Sequence, residues 1–337
     1  MHPNGSNDRT VGGILGRDGV YRDPMWEIEV RLSALEQRLL RTWELRRLQF
    51  VSHAGAPVLT TLQTYSRLEH SLGLFALAAR FAPDDALART AALLHDIGHL
   101  PFSHTFEGVA DLRHHELGAA RIRRLAPLLG EHGMRADDVL ATESGASPSI
   151  LHAPAGALKL DHLESLLRSG RAHGRLIEPP AATLARLRIV DGAVDTDAST
   201  AGYLAELAVG EASYLCSWEA SVANGVVRGL VEQLATGRHT DSVDLAARIP
   251  DMTDDELWGV LLAHPHTAEH AHRLRADPLS WQLRPGHDGA EDGYRYQIER
   301  LYLDMPCVAG KPIELPASAA ARIPELPWRC TITPANS

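Results

Sequence analysis

The run "LLHDIGHLPFSHTFE" at 93–107 constrains this chain more than any other. It places His95, Asp96, His99, His104 and Glu107 directly behind the apolar residues Ala91 to Leu94. Upstream, "PDDALARTAALL" offers Asp84 or Asp85 as an N-cap after Pro83, and Gly98 supplies a natural helix terminator. Ionisable side chains at the buried end of a helix cost free energy unless they are paired, hydrogen-bonded or bound to a metal. The fold must therefore bring partners to that point.

Candidate partners lie on two other predicted helices. In "SRLEHSLGLFALAARFA" (66–82), His70 shares a face with Leu74, Leu77, Ala78 and Phe81. In "ALKLDHLESLLRSG", Leu160, Leu163 and Leu167 mark the inward face and Asp161 sits beside it. One inward histidine is more often a satisfied core residue than a ligand. Four such groups, His70, His95, Asp96 and Asp161, on three helices point to a shared centre. Adjacent helical residues diverge by about 100°, so His95 and Asp96 can share a cation only where the helix ends, and Ile97-Gly98 provides that ending. A mixed His/carboxylate set suits Mn, Fe, Zn or Ni, whereas an all-oxygen set suits Ca or Mg.

The rest of the chain reads as mostly helical. Residues 1–20 form a Gly/Asn/Asp/Arg-rich flexible lead-in, and Asp23-Pro24 a turn. The spacing predicts helix over about 27–50, with Ser33 capping a second piece, then a loop or short extended segment over 51–64. Further helices are expected at about 113–130, 155–169 and 199–237. Thr253 and Glu256 form a capping box for a helix at 254–263. Asp191-Gly192 between β-like runs predicts a small hairpin at 187–197. The Pro-rich segment 284–337 is expected to wrap the surface, mostly irregular. The expected fold class is all-α, a helical bundle at 21–283 with that hairpin and a C-terminal extension at 284–337. Glu164 and Arg168 read as a structural i,i+4 pair, and "HPHTAEHAHR" (264–273) as a solvated helix face.

The net charge of −10, from 33 basic and 43 acidic residues, argues against a surface for nucleic-acid backbone. A local basic pocket for a small phosphorylated molecule fits the same charge. Cys216, Cys307 and Cys330 are widely spaced with no CxxC, which fits a reducing cytoplasm. The first twenty residues lack a signal-peptide apolar core, and no apolar run approaches 18 residues, so no membrane partner is expected.

The motifs resemble the HD-domain metal-dependent phosphohydrolases, whose signature is H…HD…D, and within them the deoxynucleotide triphosphohydrolase branch. The resemblance rests on "DPMWEIEV" (23–30), "RTWELRRLQ" (41–49), "SRLEHSLG" (66–73), "LLHDIGHLPFSHTFE" (93–107), "HHE" (114–116), "LDHLESLLRS" (160–169) and "MTDDELWGVLL" (252–262), in order over roughly residues 20–275. It implies an HD-type helical bundle. It also implies that His70, His95, Asp96 and Asp161 hold one or two divalent ions (Mn, Fe, Ni, Co, Zn or Mg), and that Arg67 contacts substrate phosphate. His99 and His104 would face phosphates or help hold a second metal. His115 and Glu107 correspond to the His–carboxylate pair that handles protons, with His114 the alternative one position away. Gln49 corresponds to a sugar contact. The branch also suggests homo-oligomers.

The same comparison marks departures. His162 stands where the branch has a phosphate-binding lysine, Ser165 where it has an aromatic beside the sugar, and Ser169 where it has an acid that reads a hydroxyl. The expectation is a phosphohydrolase of a nucleotide with altered recognition, acting on a nucleoside monophosphate or modified nucleotide. A metal-bound hydroxide would attack phosphorus, and protonated histidines and Arg67 would stabilise the developing charge. A di-iron oxygenase using His99, His104 and His115, or a nucleotide-binding module without turnover, are the alternatives.

Overall fold

The computed structural model describes residues 18–236, 242–286 and 293–335. Most of the expected N-terminal lead-in, residues 1–17, lies outside them. Residues 18–20 lead into a hairpin of β1 (Val20–Asp23) and β2 (Ile28–Arg31). The helix expected over 27–50 is in fact β2 followed by two short helices, α1 (Ala34–Leu39) and α2 (Trp43–Arg46), and a 3₁₀ turn over Arg47–Phe50. Ser33 caps α1 in a capping box with Glu36. The buried Leu35, Leu39, Leu40, Leu45 and Leu48 that suggested one period are shared among these pieces.

The centre of the fold is a helical layer. α3 (Arg67–Phe81) opens with a Ser66/Glu69 capping box, and α4 (Ala86–Leu94) is capped by Asp85. α5 (His114–Arg124) and α6 (Ala126–Gly130) replace one expected helix, since Pro127 near the start of α6 has no amide to continue the first helix's ladder. α7 (Ala136–Glu143) packs on α4, and α8 (Leu160–Ala172) on α3. α8 starts five residues later than expected, because Ala153–Lys159 run as a loop along the cavity described below. After the short α9 (Pro180–Leu184), the hairpin of β3 (Arg188–Val190) and β4 (Ala193–Asp195) turns at Asp191-Gly192, both at positive φ. Helix resumes as α10 (Ala198–Leu215) and α11 (Trp218–Thr236), broken at Cys216-Ser217. α12 (Ser242–Arg248), α13 (Asp254–Ala263) and α14 (Ala268–Ala276) follow, with the Thr253/Glu256 capping box in place.

The C-terminal part is less irregular than expected. β5 (Trp281–Pro285), β6 (Tyr294–Ile298) and β9 (Trp328–Pro334) form an antiparallel sheet in the order β5-β9-β6, packed on α11. β7 (Cys307–Val308) and β8 (Lys311–Pro312) extend the β3-β4 hairpin, and α15 (Ala317–Ala320) packs on α10. With about 51% helix and 14% strand in three small sheets among the described residues, the all-α expectation is too narrow. The fold is a helical bundle carrying peripheral β-structure.

Two apolar clusters build the interior. One joins α3, α4, α8 and α10 to the N-terminal hairpin. The other joins α11, α13 and α14 to the C-terminal sheet. The segment 95–109 stitches them together, with Ile97 in the first and Leu100, Phe102 and Phe106 in the second. The polar residues between those anchors are thereby held at the seam. Among the described residues no helix is long and apolar enough to cross a membrane.

Candidate metal centre and its cavity

α4 ends at Leu94, so His95 and Asp96 already lie outside regular helix and their side chains can converge. The helix ends shortly before Gly98, the expected terminator, which is not among the positive-φ glycines. A Cβ there would overlap the His114 carbonyl and the Gly118 backbone, so glycine lets the start of α5 close against the turn.

The imidazoles of His70 and His95 meet Asp161 from α8. Their donor atoms lie within 4.8 Å of one another. His70 Nε2 is 3.2 Å from His95 Nε2 and 3.2 Å from Asp161 Oδ1, and His95 Nε2 is 3.7 Å from that oxygen. Asp96 joins from the other side, with Oδ1 3.2 Å from His95 Nε2 and Oδ2 3.7 Å from His70 Nε2. With ligand bonds of about 2.0–2.2 Å, the spacing of the His70, His95 and Asp161 donors suits one divalent transition-metal ion, with Asp96 beside them.

The tautomers are arranged for the same purpose. His95 Nδ1 is 3.0 Å from the Ala92 carbonyl, to which it donates, leaving Nε2 as a lone-pair donor. His70 Nδ1 donates to Glu164 Oε2 at 2.5 Å. Glu164, fully buried, is gripped by Arg168 through Nε at 2.7 Å and Nη2 at 2.5 Å. Burial pushes the Glu164 carboxyl up, but Arg168 and then His70 outweigh it and hold it below the usual range. The pair read from sequence as structural is therefore the support of a candidate ligand. Gly73, one turn after His70, makes room for it, since a Cβ there would overlap the Glu164 carboxylate. Gly73→Ala gains up to about 1 kcal/mol of helix propensity, yet overpacking costs about 1–3 kcal/mol. The expected result is a lower Tm, read by thermal melting, and weaker metal retention, read by metal analysis after dialysis.

Arg67 lies against this centre. Nη1 donates to Asp96 Oδ2 at 2.9 Å, and Nη2 to the His53 carbonyl at 2.9 Å. Burial, outweighed by His95, Arg67 and His99, leaves the Asp96 carboxyl well below its ordinary range.

A second group, His99, His104 and His114, also has donor atoms within 4.8 Å of one another. His99 donates through Nε2 to Asp96 Oδ1 at 3.0 Å, and its ring stacks on His114 with centroids 4.4 Å apart. Burial, then Arg67, pushes His99 well below the ordinary histidine range, so it is neutral. Burial, then Arg67, pushes His104 down as well, to about 3, so neither of these two supplies the protonated histidine expected to stabilise the developing charge. Glu107 pairs with His114 rather than His115: His114 Nδ1 is 2.8 Å from Oε2, and the His114 amide donates to Oε1 at 3.3 Å. His115 is exposed and lies against His114 with its ring tilted by 38°, centroids 4.0 Å apart.

These groups line one cavity of about 1280 Å³, above the 300–1,000 Å³ of ordinary small-molecule pockets. Arg67, Arg123, Lys159 and Arg300 supply positive charge to it, and Lys159 Nζ sits 2.7 Å from Asp161 Oδ2. His162 faces the cavity with Nδ1 donating to Asp304 at 2.7 Å, and Ser165 Oγ is 3.4 Å from His53 Nε2. Gln49 is not among the lining residues, and its carbonyl oxygen is buried without a partner. Gln63 and Glu211, which the sequence did not single out, do line it. Gln63 Nε2 donates to Ser169 Oγ at 2.7 Å, and Ser169 donates to Glu211 at 2.5 Å. Ser165 and Ser169 follow Asp161 at four-residue steps along the same face of α8, which was the available signal.

Residues 67–191 match the family model described as HD domain. The metal-dependent phosphohydrolase cns2 of Cordyceps militaris is 30% identical over 203 residues, covering 53% of this chain and 55% of that protein. An uncharacterised protein of Methanocaldococcus jannaschii, MJ1154, is 33% identical over 114 residues, 32% of this chain and 24% of that protein. The chain thus spans between a quarter and about half of these curated relatives. Among solved structures, a phosphohydrolase from Bacteroides thetaiotaomicron superposes with a TM-score of 0.68 at 16% identity, over 94% of this chain and all of that one. A hypothetical protein from Aquifex aeolicus gives 0.68 at 18% identity, over 93% and 95%. At such identities the likeness is one of fold.

Proposed function

We propose that this chain, whose residues 67–191 match the HD domain model, hydrolyses a phosphate ester of a nucleotide. The observation that carries the reading is the convergence of His70, His95 and Asp161 donor atoms, with Asp96 beside them, at a cavity lined by both carboxylates and the cations Arg67, Arg123, Lys159 and Arg300. A divalent ion held there would neutralise phosphoryl charge and lower the pKa of a bound water. Arg67 would bind a phosphoryl oxygen while keeping its contact with Asp96. His114, oriented by Glu107 through Nδ1, would hold and release a proton at Nε2 for the leaving oxygen.

Altered recognition follows from the same cavity. Ser165, Ser169, Gln63 and Glu211, the last paired with Arg175 at 2.6 Å, present hydrogen-bonding groups along α8 that suit a hydroxylated moiety. A nucleoside monophosphate or modified nucleotide suits this layout. The test is phosphate and pyrophosphate release from nucleoside mono-, di- and triphosphates with Mn, Fe, Co, Ni, Mg and Zn. Absence of release across that set would overturn the reading. Within it, His114→Ala is expected to lower kcat by about 10²–10³, in line with loss of a positioned proton donor, with metal content retained. His115→Ala should lower it less than threefold, and the reverse pattern would return the role to His115.

The His99, His104 and His114 group gives one specific observation in favour of a second ion, and hence of the di-iron oxygenase reading. Two irons per chain with oxygen uptake, and no phosphate release, would decide for it.

A further inference from the structure

We propose that Asp254, sixty-three residues beyond the end of the HD-domain match, is a positioning residue that fixes the two turns holding Arg67 against Asp96. Asp254 is the first residue of α13, after the N-cap Thr253. An acid at that position ordinarily faces its own helix's free amides or solvent. Here the amides it binds belong to two distant turns. Oδ1 accepts from the Phe102 amide at 2.7 Å, and Oδ2 from the Ser52 amide at 2.8 Å.

Both turns need holding. Phe102 and Ser103 have φ of 53° and 52°, a left-handed conformation unfavourable for residues with a Cβ. The turn persists because its surroundings determine it. Ser103 Oγ donates to the Ser52 carbonyl at 2.5 Å and accepts from Arg67 Nε at 3.0 Å. The neighbouring His53 carbonyl accepts from Arg67 Nη2 at 2.9 Å, while Nη1 reaches Asp96. The guanidinium thus rests on both turns that Asp254 ties, and delivers its remaining end to the candidate metal centre. Arg47 reinforces the join from the same side, donating to the carbonyls of Met252 and His99.

A carboxylate suits this role because it accepts two amides at once, one on each oxygen. An amide side chain would offer one acceptor and turn a donor toward the other amide. Burial pushes the Asp254 carboxyl up to about 6, against the lowering from the two bound segments and Arg47, so it is ionised at neutral pH and both acceptors are present. The effect on turnover rests on the phosphohydrolase reading; the effect on the two turns does not.

The experiment compares the full wild-type chain with Asp254→Asn, Ser103→Ala and the double variant, loaded with Mn²⁺. Hydrogen exchange is followed by mass spectrometry over residues 51–54 and 100–106, and turnover with bis(p-nitrophenyl) phosphate as probe. Asp254→Asn should speed exchange of the Ser52 and Phe102 amides at least tenfold and lower kcat/KM about tenfold, with Mn²⁺ content retained. Because Asp254 and Ser103 act through one relay, the double variant should fall little below either single one. Unchanged exchange in both segments overturns the proposal. So does unchanged kcat/KM in a turnover-competent protein, or a double variant whose losses multiply as independent lesions would. Should wild type itself show no turnover on this probe or on the nucleotides above, the phosphohydrolase reading fails, and the exchange data still decide whether Asp254 holds the turns.

Discussion

Asp161→Ala is expected to abolish metal retention and lower turnover by at least about 10³, while the chain stays folded. Asp161 supplies the carboxylate oxygen that lies 3.2 Å and 3.7 Å from the two histidine Nε2 atoms. Without it, the two imidazoles and Asp96 remain, and Asp96 is already committed to Arg67 and His99. Loss of the ion would remove several kcal/mol of charge stabilisation, and about 4 kcal/mol corresponds to a thousandfold in rate. The fold should tolerate the change, because Asp161 sits at the first turn of α8 and its partner Lys159 keeps access to the cavity. Metal analysis after gel filtration, circular dichroism and the phosphate-release assay together test this. A variant that keeps stoichiometric metal and full turnover would remove Asp161 from the centre.

Glu164→Ala is expected to cost about 3 kcal/mol of stability and to weaken metal binding about 10–100-fold. The carboxylate has two jobs. It fixes the His70 tautomer through Nδ1, and loss of such a support typically costs 10–100-fold in metal affinity. It also neutralises Arg168, whose side chain is only 9% exposed. Removing one partner of a buried pair costs about 3–5 kcal/mol because the other charge is left behind. The lower end applies here, since Asp23 and Glu69 stand 4.0 Å and 3.8 Å from the same guanidinium. Glu164→Gln should retain more stability, since its amide oxygen can still accept from Arg168, but should still perturb His70. Chemical denaturation and metal titration separate the two effects. Wild-type stability and wild-type affinity in the alanine variant would contradict both assignments.

Local signals in the sequence were legible where a short stretch decides the outcome. The Ser33 cap, the capping box at Thr253/Glu256, the Asp191-Gly192 turn and the helices at 67–81 and 254–263 follow from contacts a few residues apart. The failures share the opposite character. Residues 27–50 carry enough leucines for one helix, but β2 pairs with β1 and the remainder breaks into short turns against the core. The strands of the C-terminal sheet are short, and β9 pairs with β5 across almost fifty residues, so neither strand announces itself alone.

By itself the sequence determined which chemical groups are available: two histidines and two carboxylates on or just beyond three helices, a seam segment dense in histidine, and cationic side chains for an anion. Tertiary structure decided which of them meet. Glu107 takes His114 and not His115 because one step on a helix turns a side chain by about 100°. Glu164 becomes the support of His70 across 94 residues, and Asp254 reaches Phe102 across 152, because both depend on where whole helices dock. Local spacing fixes the direction of a side chain within its own helix, whereas its partner is fixed by the packing of the two apolar clusters on either side of the seam.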